Sequence, residues 1–330
     1  MRCALNNNAP NATASAKRAA RVDAARFDVL MNIALTGATG FIGRYIARQL
    51  ASAGNTLRCW YRPSSDRSGY GDLAGSVEWL AGDLSDERAI DNLVADCDAV
   101  VHAALWRPGP GFRGAEGDLI EFVQRNVVGS LRLIEAARKS GVRRIVFIST
   151  CAVHERILDD RPLDEKHPTW AASHYGAHKA AIEQFVYSYG LGEGYPICAL
   201  RPSGVYGVTH PPQDSKWFDL VQAVVSGKSV TCQRGGKEVH AADVAKAADV
   251  LINSPPEDIA GQAFNCCDRY ISEWNVAHLA KQISDSKTEI LGRQTSPKNQ
   301  IVTEKLRSLG MVFGGEPLLE QTIRNLVQAA

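Results

Sequence analysis

The chain has 330 residues, 45 % hydrophobic and 22 % charged, with a formal net charge of +1. That length suits one large α/β domain or two coupled ones. The near-zero charge and scattered Lys and Arg argue against a nucleic-acid or anionic-membrane partner, and no apolar run approaches a bilayer span.

Residues 1–30 are rich in Ala, Asn and Arg and lack an apolar signal core. They are expected to be a disordered extension, or the product of an early start codon with Met31 as the functional beginning. A transit peptide is the alternative. From Asn32 onward short apolar runs alternate with amphipathic stretches. Strands are expected at Asn32–Thr36, Thr56–Tyr61, Val77–Ala81, Ala99–Ala103, Arg144–Ser149 and Pro196–Arg201. Helices are expected at Phe41–Ala53, Asp86–Ala95, Leu119–Ser140 and Tyr175–Tyr189. Continuous apolar strands separated by helices imply a parallel sheet covered on both faces, a Rossmann-type doubly wound α/β fold. Such a sheet binds ligands beyond the carboxyl ends of its strands.

After Gly207 the texture changes. Thr209–Asp214 reads as loop, and helices are expected near 216–226, 240–252, 274–283 and 316–328. The expected division is a dinucleotide-binding domain over 31–207, with 236–266 returning to it, and a smaller substrate lobe from 208–235 and 267–330. The eight cysteines show no CxxC and no zinc spacing, and the adjacent Cys266–Cys267 pair is poor disulfide geometry. A reduced, cytoplasmic protein without a metal is expected.

The first strand runs into Thr36-Gly37-Ala38-Thr39-Gly40-Phe41-Ile42-Gly43. Gly37 permits a tight turn, Gly40 lets backbone approach a pyrophosphate, and Gly43 lets helix pack on strand. The helix then offers free N–H groups and a positive dipole end to phosphates. The second strand ends Tyr61-Arg62, with no acid to accept from a ribose 2′-hydroxyl. Arg62 and Arg44 suit a 2′-phosphate, which favours NADP(H) within the NAD(P) class; otherwise they are solvated charges. Asp83, after the third strand, is placed to accept from an adenine amino group; alternatively Asp83 or Ser85 caps the next helix. Small Ala103 and Ala104 end the fourth strand, and His102 reads as a packed core histidine.

Thr150 closes the fifth strand, and Tyr175 and Lys179 stand four apart at the start of a helix, on one face. A tyrosine of ordinary pKa, about 10, is a poor base at neutral pH. A nearby ammonium and an oxidised nicotinamide favour its phenolate. Tyr175 then takes a proton from an alcohol while hydride leaves its carbon, or gives one to a carbonyl, and Thr150 holds the reacting oxygen. His174 and His178, also four apart, lack further ligand types and read as helix surface.

Together these residues resemble the extended short-chain dehydrogenase/reductase family, the NAD(P)-dependent epimerase/dehydratase group. TGATGFIG at 36–43, GDL at 82–84, VHAA at 101–104, NVVGSLRLIEAA at 126–137, FIST at 147–150, YGAHK at 175–179, RPSGVYG at 201–207, HAADVA at 240–245 and FN at 264–265 carry the likeness over about residues 31–330. The resemblance implies Tyr175 as acid–base, Lys179 as its activator and Thr150 as partner of the substrate oxygen. It implies cofactor contacts from Gly37, Thr39, Gly40, Phe41, Ile42 and Gly43, from Asp83, Leu84, Ala103 and Ala104, and from Asn126, Tyr175, Lys179 and Pro202, beside Arg44 and Arg62. Asn126 takes the family's helix-kinking, site-lining position, and a homodimer through helices 119–140 and 175–189 is implied. Three features depart from the pattern: Val153-His154-Glu155 replaces Val-Tyr-Gly, GGKEV stands before His240 in place of an Arg-Asp pair, and Ser203 stands where many epimerases have Asn. Arg107–Gly117 forms a Gly/Pro-rich lid or surface loop at the substrate mouth.

The functions left open are an epimerase or dehydratase of a nucleotide sugar, a reductase of a small carbonyl compound, and a non-catalytic NAD(P)-binding sensor or scaffold. Retention of Thr150, Tyr175 and Lys179 together argues against the sensor. A small molecule is the expected substrate.

Overall fold

A computed structural model describes residues 30–109, 114 and 116–330; the 1–29 extension and residues 110–113 and 115 of the expected lid lie outside the described residues. Strand β1 (Asn32–Thr36) alternates its side chains between two cores. Ile33 and Leu35 enter one and Ala34 the other, all fully buried. Around it a seven-stranded parallel sheet assembles from β2 (Thr56–Tyr61), β3 (Val77–Ala81), β4 (Ala99–His102), β5 (Arg144–Ile148), β6 (Ile197–Pro202) and β10 (Gln262–Cys266). The order is β10-β6-β5-β4-β1-β2-β3, so the direction of winding reverses between β1 and β4. Leu35 pairs with Cys59 on one side and Val101 on the other. This is the doubly wound arrangement that the alternation of runs implied.

Both faces are covered. On one, α1 (Phe41–Ser52) packs against α6 (Ala241–Asn253), and Ile46, Leu50, Ala248 and Leu251 close over Ile33, Leu35, Val146 and Leu200. On the other lie α2 (Glu87–Val94), α3 (119–139) and α4 (His174–Tyr187), where Leu133, Ile134, Ile182 and Val186 meet Val100, Ile145 and Phe147. Each such Leu, Ile or Phe contributes about 1.5–3 kcal/mol by leaving water. Helix α3 is continuous but irregular: Leu119–Val123 and Gly129–Lys139 are α-helical, and Gln124–Val128 between them is a π turn. Helix starts are capped by side chains: Asp86 accepts from Ala89 N–H in α2, Asp118 from Glu121 N–H in α3, and Ser173 from Gly176 N–H in α4.

The lobe after Gly207 has its own core of Phe218, Val221, Val224, Ile271, Val276, Leu319, Ile323 and Leu326, joined by Tyr206. It is built from α5 (Phe218–Val225), α7 (Glu273–Ser284) and α8 (Gly315–Ala329). Six strands were missed in the sequence: β10 of the main sheet and five short ones in and beside the lobe. Among them β7 (Gly204–Tyr206), β9 (Gly235–His240) and β11 (Arg269–Ser272) form a three-stranded sheet, and β8 (Val230–Cys232) pairs with β12 (Ile290–Gly292). Leu306 and Met311 leave the lobe and pack into the first core of the main sheet. No helix among the described residues is long and apolar enough to cross a membrane.

Candidate active site

Six strands of the main sheet end at one cavity of about 1240 Å³. Gly37 follows β1, Arg62 β2, Asp83 β3, Ala103 and Ala104 β4 and Thr150 β5, Pro202 ends β6, and all of them line it. That volume exceeds the roughly 300–1,000 Å³ of a site for one drug-sized ligand. It suits a dinucleotide with a second molecule beside it.

At the β1 end the chain turns at Gly37, whose φ of +74° favours glycine. A Cβ there would come within 2.7 Å of the Ala103 backbone, and one at Gly43 would meet Gly37 O and Ala38 Cα. Both glycines are therefore required by close approach. Gly40 is the N-cap of α1 and supplies no side-chain acceptor, and the first turn carries no acid. The first turn of α1 lines the cavity and its N-cap offers no side-chain partner, which leaves backbone N–H groups that suit phosphate oxygens. Thr39, Gly40, Phe41, Ile42 and Gly43 line this end. The residues present thus fit a dinucleotide's pyrophosphate.

Arg62 is exposed and lines the cavity beside Ser64, Ser65 and Asp66, and its N–H donates to Ser65 Oγ at 2.9 Å. Arg44 behaves differently from its sequence-based assignment and is absent from the cavity wall. Its guanidinium donates to the Ser68 and Asp66 carbonyls at 2.6 and 2.7 Å and pairs with the Asp66 carboxylate at 3.3 Å. It braces the loop after β2, which composition alone does not reveal. Asp83 lines the cavity with Leu84. Partial burial raises its pKa, but hydrogen bonds from Ser85 and the fields of Arg125 and Arg62 outweigh that, so it lies below the usual carboxylate value. Neither Asp83 nor Ser85 caps the next helix; Asp86 does.

At the β5 end Thr150 lines the cavity, and its Oγ1 accepts from Ala152 N–H at 3.1 Å, opening a 3₁₀ turn over Cys151–His154. Tyr175 also lines the cavity, from the first turn of α4. Lys179, one turn on, is buried and does not reach the cavity surface; its Nζ donates to Ile148 O at 2.8 Å. Burial pulls its pKa down to about 7, opposed by Glu183. His174 is exposed, but His178 is buried, packed edge-on against Phe122 and beside Tyr175. The expectation of a surface His178 fails because α4 packs against both the sheet and α3 and so buries more than one stripe. His102 is the packed histidine expected, bonded to Thr36 and Ser130 at 2.7 and 2.8 Å and held neutral by burial, its pKa lowered to about 3.

Asn126, expected at the cofactor, is buried and does not line the cavity. It sits in the π turn of α3, where its side chain bonds Trp106 N–H and O at 2.8 and 2.9 Å. Trp106 in turn forms part of the wall with Arg107 and Gly109. Sequence reading missed Trp106, Leu163, Lys237 and Ile301 as lining residues. The last three lie on loops or short polar strands, where spacing carries no signal. Glu155, noted only as a departure, lines the cavity and accepts from Ala172 N–H, Ser173 N–H and Ser173 Oγ at 2.6, 2.7 and 3.0 Å, holding the entry to α4. The described cysteines are all free thiols.

Residues 33–267 match the NAD dependent epimerase/dehydratase family. Similar sequences include the UDP-glucose 4-epimerase of Rhizobium meliloti (strain 1021), 30 % identical over 198 residues, 57 % of this chain and 56 % of that one. The match thus spans little more than half of that relative's length. The dTDP-D-glucose 4,6-dehydratase of Mus musculus is 30 % identical over 259 residues, 71 % of this chain and 69 % of that one. The fold is shared with a UDP-glucose 4-epimerase from Stenotrophomonas maltophila solved with NAD and formylated UDP-arabinopyranose: TM-score 0.74, 20 % identity, 90 % of this chain and 97 % of that chain covered.

Proposed function

The chain belongs to the NAD dependent epimerase/dehydratase family, and from that premise we propose an NAD(P)-dependent oxidoreductase that acts on a secondary alcohol or its carbonyl, with Tyr175 as the acid–base. One observation carries this reading: the glycine cradle after β1 and the Thr150 and Tyr175 side chains wall the same cavity. A bound nicotinamide dinucleotide supplies the hydride acceptor or donor. Tyr175 takes the proton from the alcohol, or returns one to the carbonyl, and Thr150 hydrogen-bonds the reacting oxygen. Lys179, cationic below about pH 7, favours the phenolate.

The cavity wall favours oxidation and reduction at one carbon over dehydration. Loss of water needs an acid for the departing hydroxyl and a base for the neighbouring carbon. The described carboxylates on the wall are Asp66, Asp83 and Glu155. The first two lie at the β2 and β3 ends, and Glu155 is committed to the start of α4. Thr150 is followed by Ala152 and by Cys151, whose thiol burial pushes far up.

Epimerisation of a nucleotide sugar and net reduction of a small carbonyl compound both fit this chemistry. The names of the UDP-glucose 4-epimerases among the relatives support the first; Arg62 and the missing Arg-Asp pair before His240 support the second. Arg62 also supports NADP(H) over NAD, with Arg44 withdrawn from that role. Exposed Leu119, Ile120, Val123 and Phe185 on α3 and α4 support a homodimer through these helices. The dinucleotide domain is taken as 31–207 with 236–266, and the lobe as 208–235 with 267–330.

Purified protein tested against nucleotide sugars and small carbonyls, with cofactor absorbance as readout, decides between the two. Retained reduced cofactor without net turnover marks epimerisation, and steady consumption of NADPH marks reduction. Absence of any NAD(P) binding overturns the proposal.

A further inference from the structure

Tyr175, Lys179, Glu183 and Tyr187 stand four residues apart along α4, in one stripe down the helix. Glu183 and Arg201 of β6 are both fully buried, and their ion pair is bidentate. Arg201 Nε lies 3.0 and 3.1 Å from the two carboxylate oxygens, and Nη2 2.5 Å from one of them. The other guanidinium hydrogens reach His154 Nε2 at 3.1 Å, the Glu165 carbonyl at 3.3 Å and the Tyr187 hydroxyl at 3.0 Å. All five donors of the guanidinium therefore have acceptors. Because His154 accepts at Nε2, its Nδ1–H is directed at the Pro168 carbonyl, 3.1 Å away. Glu183 also accepts from Ser149 Oγ.

A pair this dry is a poor source of stability, because desolvation offsets most of the attraction. Its connections point elsewhere. The end of β5 is tied to α4 twice in succession, by Lys179 Nζ on the Ile148 carbonyl and by Glu183 on Ser149. The next residue is Thr150, and the helix so tied carries Tyr175. His154 anchors the 3₁₀ turn that Thr150 opens. We propose that the Glu183–Arg201 pair is a positioning device that sets the separation of Thr150 and Tyr175. This rests on the roles given to those two residues above.

The test compares the full chain with its Ser149→Ala variant, which keeps both buried charges and removes only the hydroxyl through which Glu183 holds the end of β5. Crystal structures of the two are expected to differ in the separation of the Thr150 and Tyr175 hydroxyls by more than about 0.5 Å, with circular dichroism unchanged. Glu183→Asp, which draws the carboxylate back from Ser149 and Arg201, is expected to move the separation in the same way. An unchanged separation in a folded variant, with only the melting temperature lowered, overturns the proposal. With a substrate that turns over, Ser149→Ala lowers kcat about tenfold with KM kept; a raised KM with kcat intact overturns the proposal as well. The structural comparison needs no substrate, so a failed search for turnover leaves this test readable.

Discussion

Tyr175 and Lys179 are neighbours on one helix, yet only the phenol reaches the cavity; the ammonium lies behind it against Ile148 O. Substituting Tyr175→Phe removes the transferable proton while keeping the ring, and kcat is expected to fall about 10²–10⁴-fold, measured with whichever substrate turns over. Lys179 also carries a stability cost. Its pKa falls from 10.5 to about 7 on burial, so between those values the unfolded chain binds the extra proton. Stability from this residue therefore rises as pH goes from about 7 to 10.5, and is poorest below 7, where the buried charge is present. Lys179→Met is expected to gain roughly 1–3 kcal/mol at pH 6, read by denaturant unfolding, and to lose activity. Arg62→Ala is expected to weaken NADP(H) binding about tenfold and leave NAD unchanged; equal loss for both cofactors removes the 2′-phosphate role.

Among the elements, α3 shows how one side chain shapes a wall it does not touch. The π turn Gln124–Val128 presents Asn126 to both backbone polar groups of Trp106, so the loop after β4 takes its path from the helix. Asn126→Ala leaves those groups unpaired. The expected cost is about 1–3 kcal/mol in unfolding free energy, with a raised KM because Trp106 and Arg107 lose their support. Unchanged stability would show that the loop holds itself. Legibility varied element by element for physical reasons. β1, β2 and β3 were placed to the residue because apolar runs bounded by turn residues leave little choice. β9, with sequence GGKEVH, was missed because it opens on two glycines, lacks alternation and holds a single β-branched residue, Val239; only pairing with β11 and β7 makes it a strand.

For the whole molecule, the exposed apolar residues Ile120, Val123 and Phe185 lie on the two helices of the proposed dimer. Replacing Ile120 and Phe185 together by Asp is expected to give a monomer in sedimentation while leaving the melting temperature of the fold largely intact; an unchanged mass returns these residues to ordinary surface.

By itself the sequence determined the doubly wound sheet, the tight glycine turn after β1 and the order of Thr150, Tyr175 and Lys179, because strand periodicity, glycine spacing and helical spacing are local properties of the chain. Only the tertiary structure decided that Arg44 braces a loop, that His178 is buried, that Asn126 works through Trp106, and that Glu183 and Arg201 meet under Thr150. Those outcomes depend on which elements become neighbours across the sheet, and pairings between residues far apart in the chain leave no periodic mark on it.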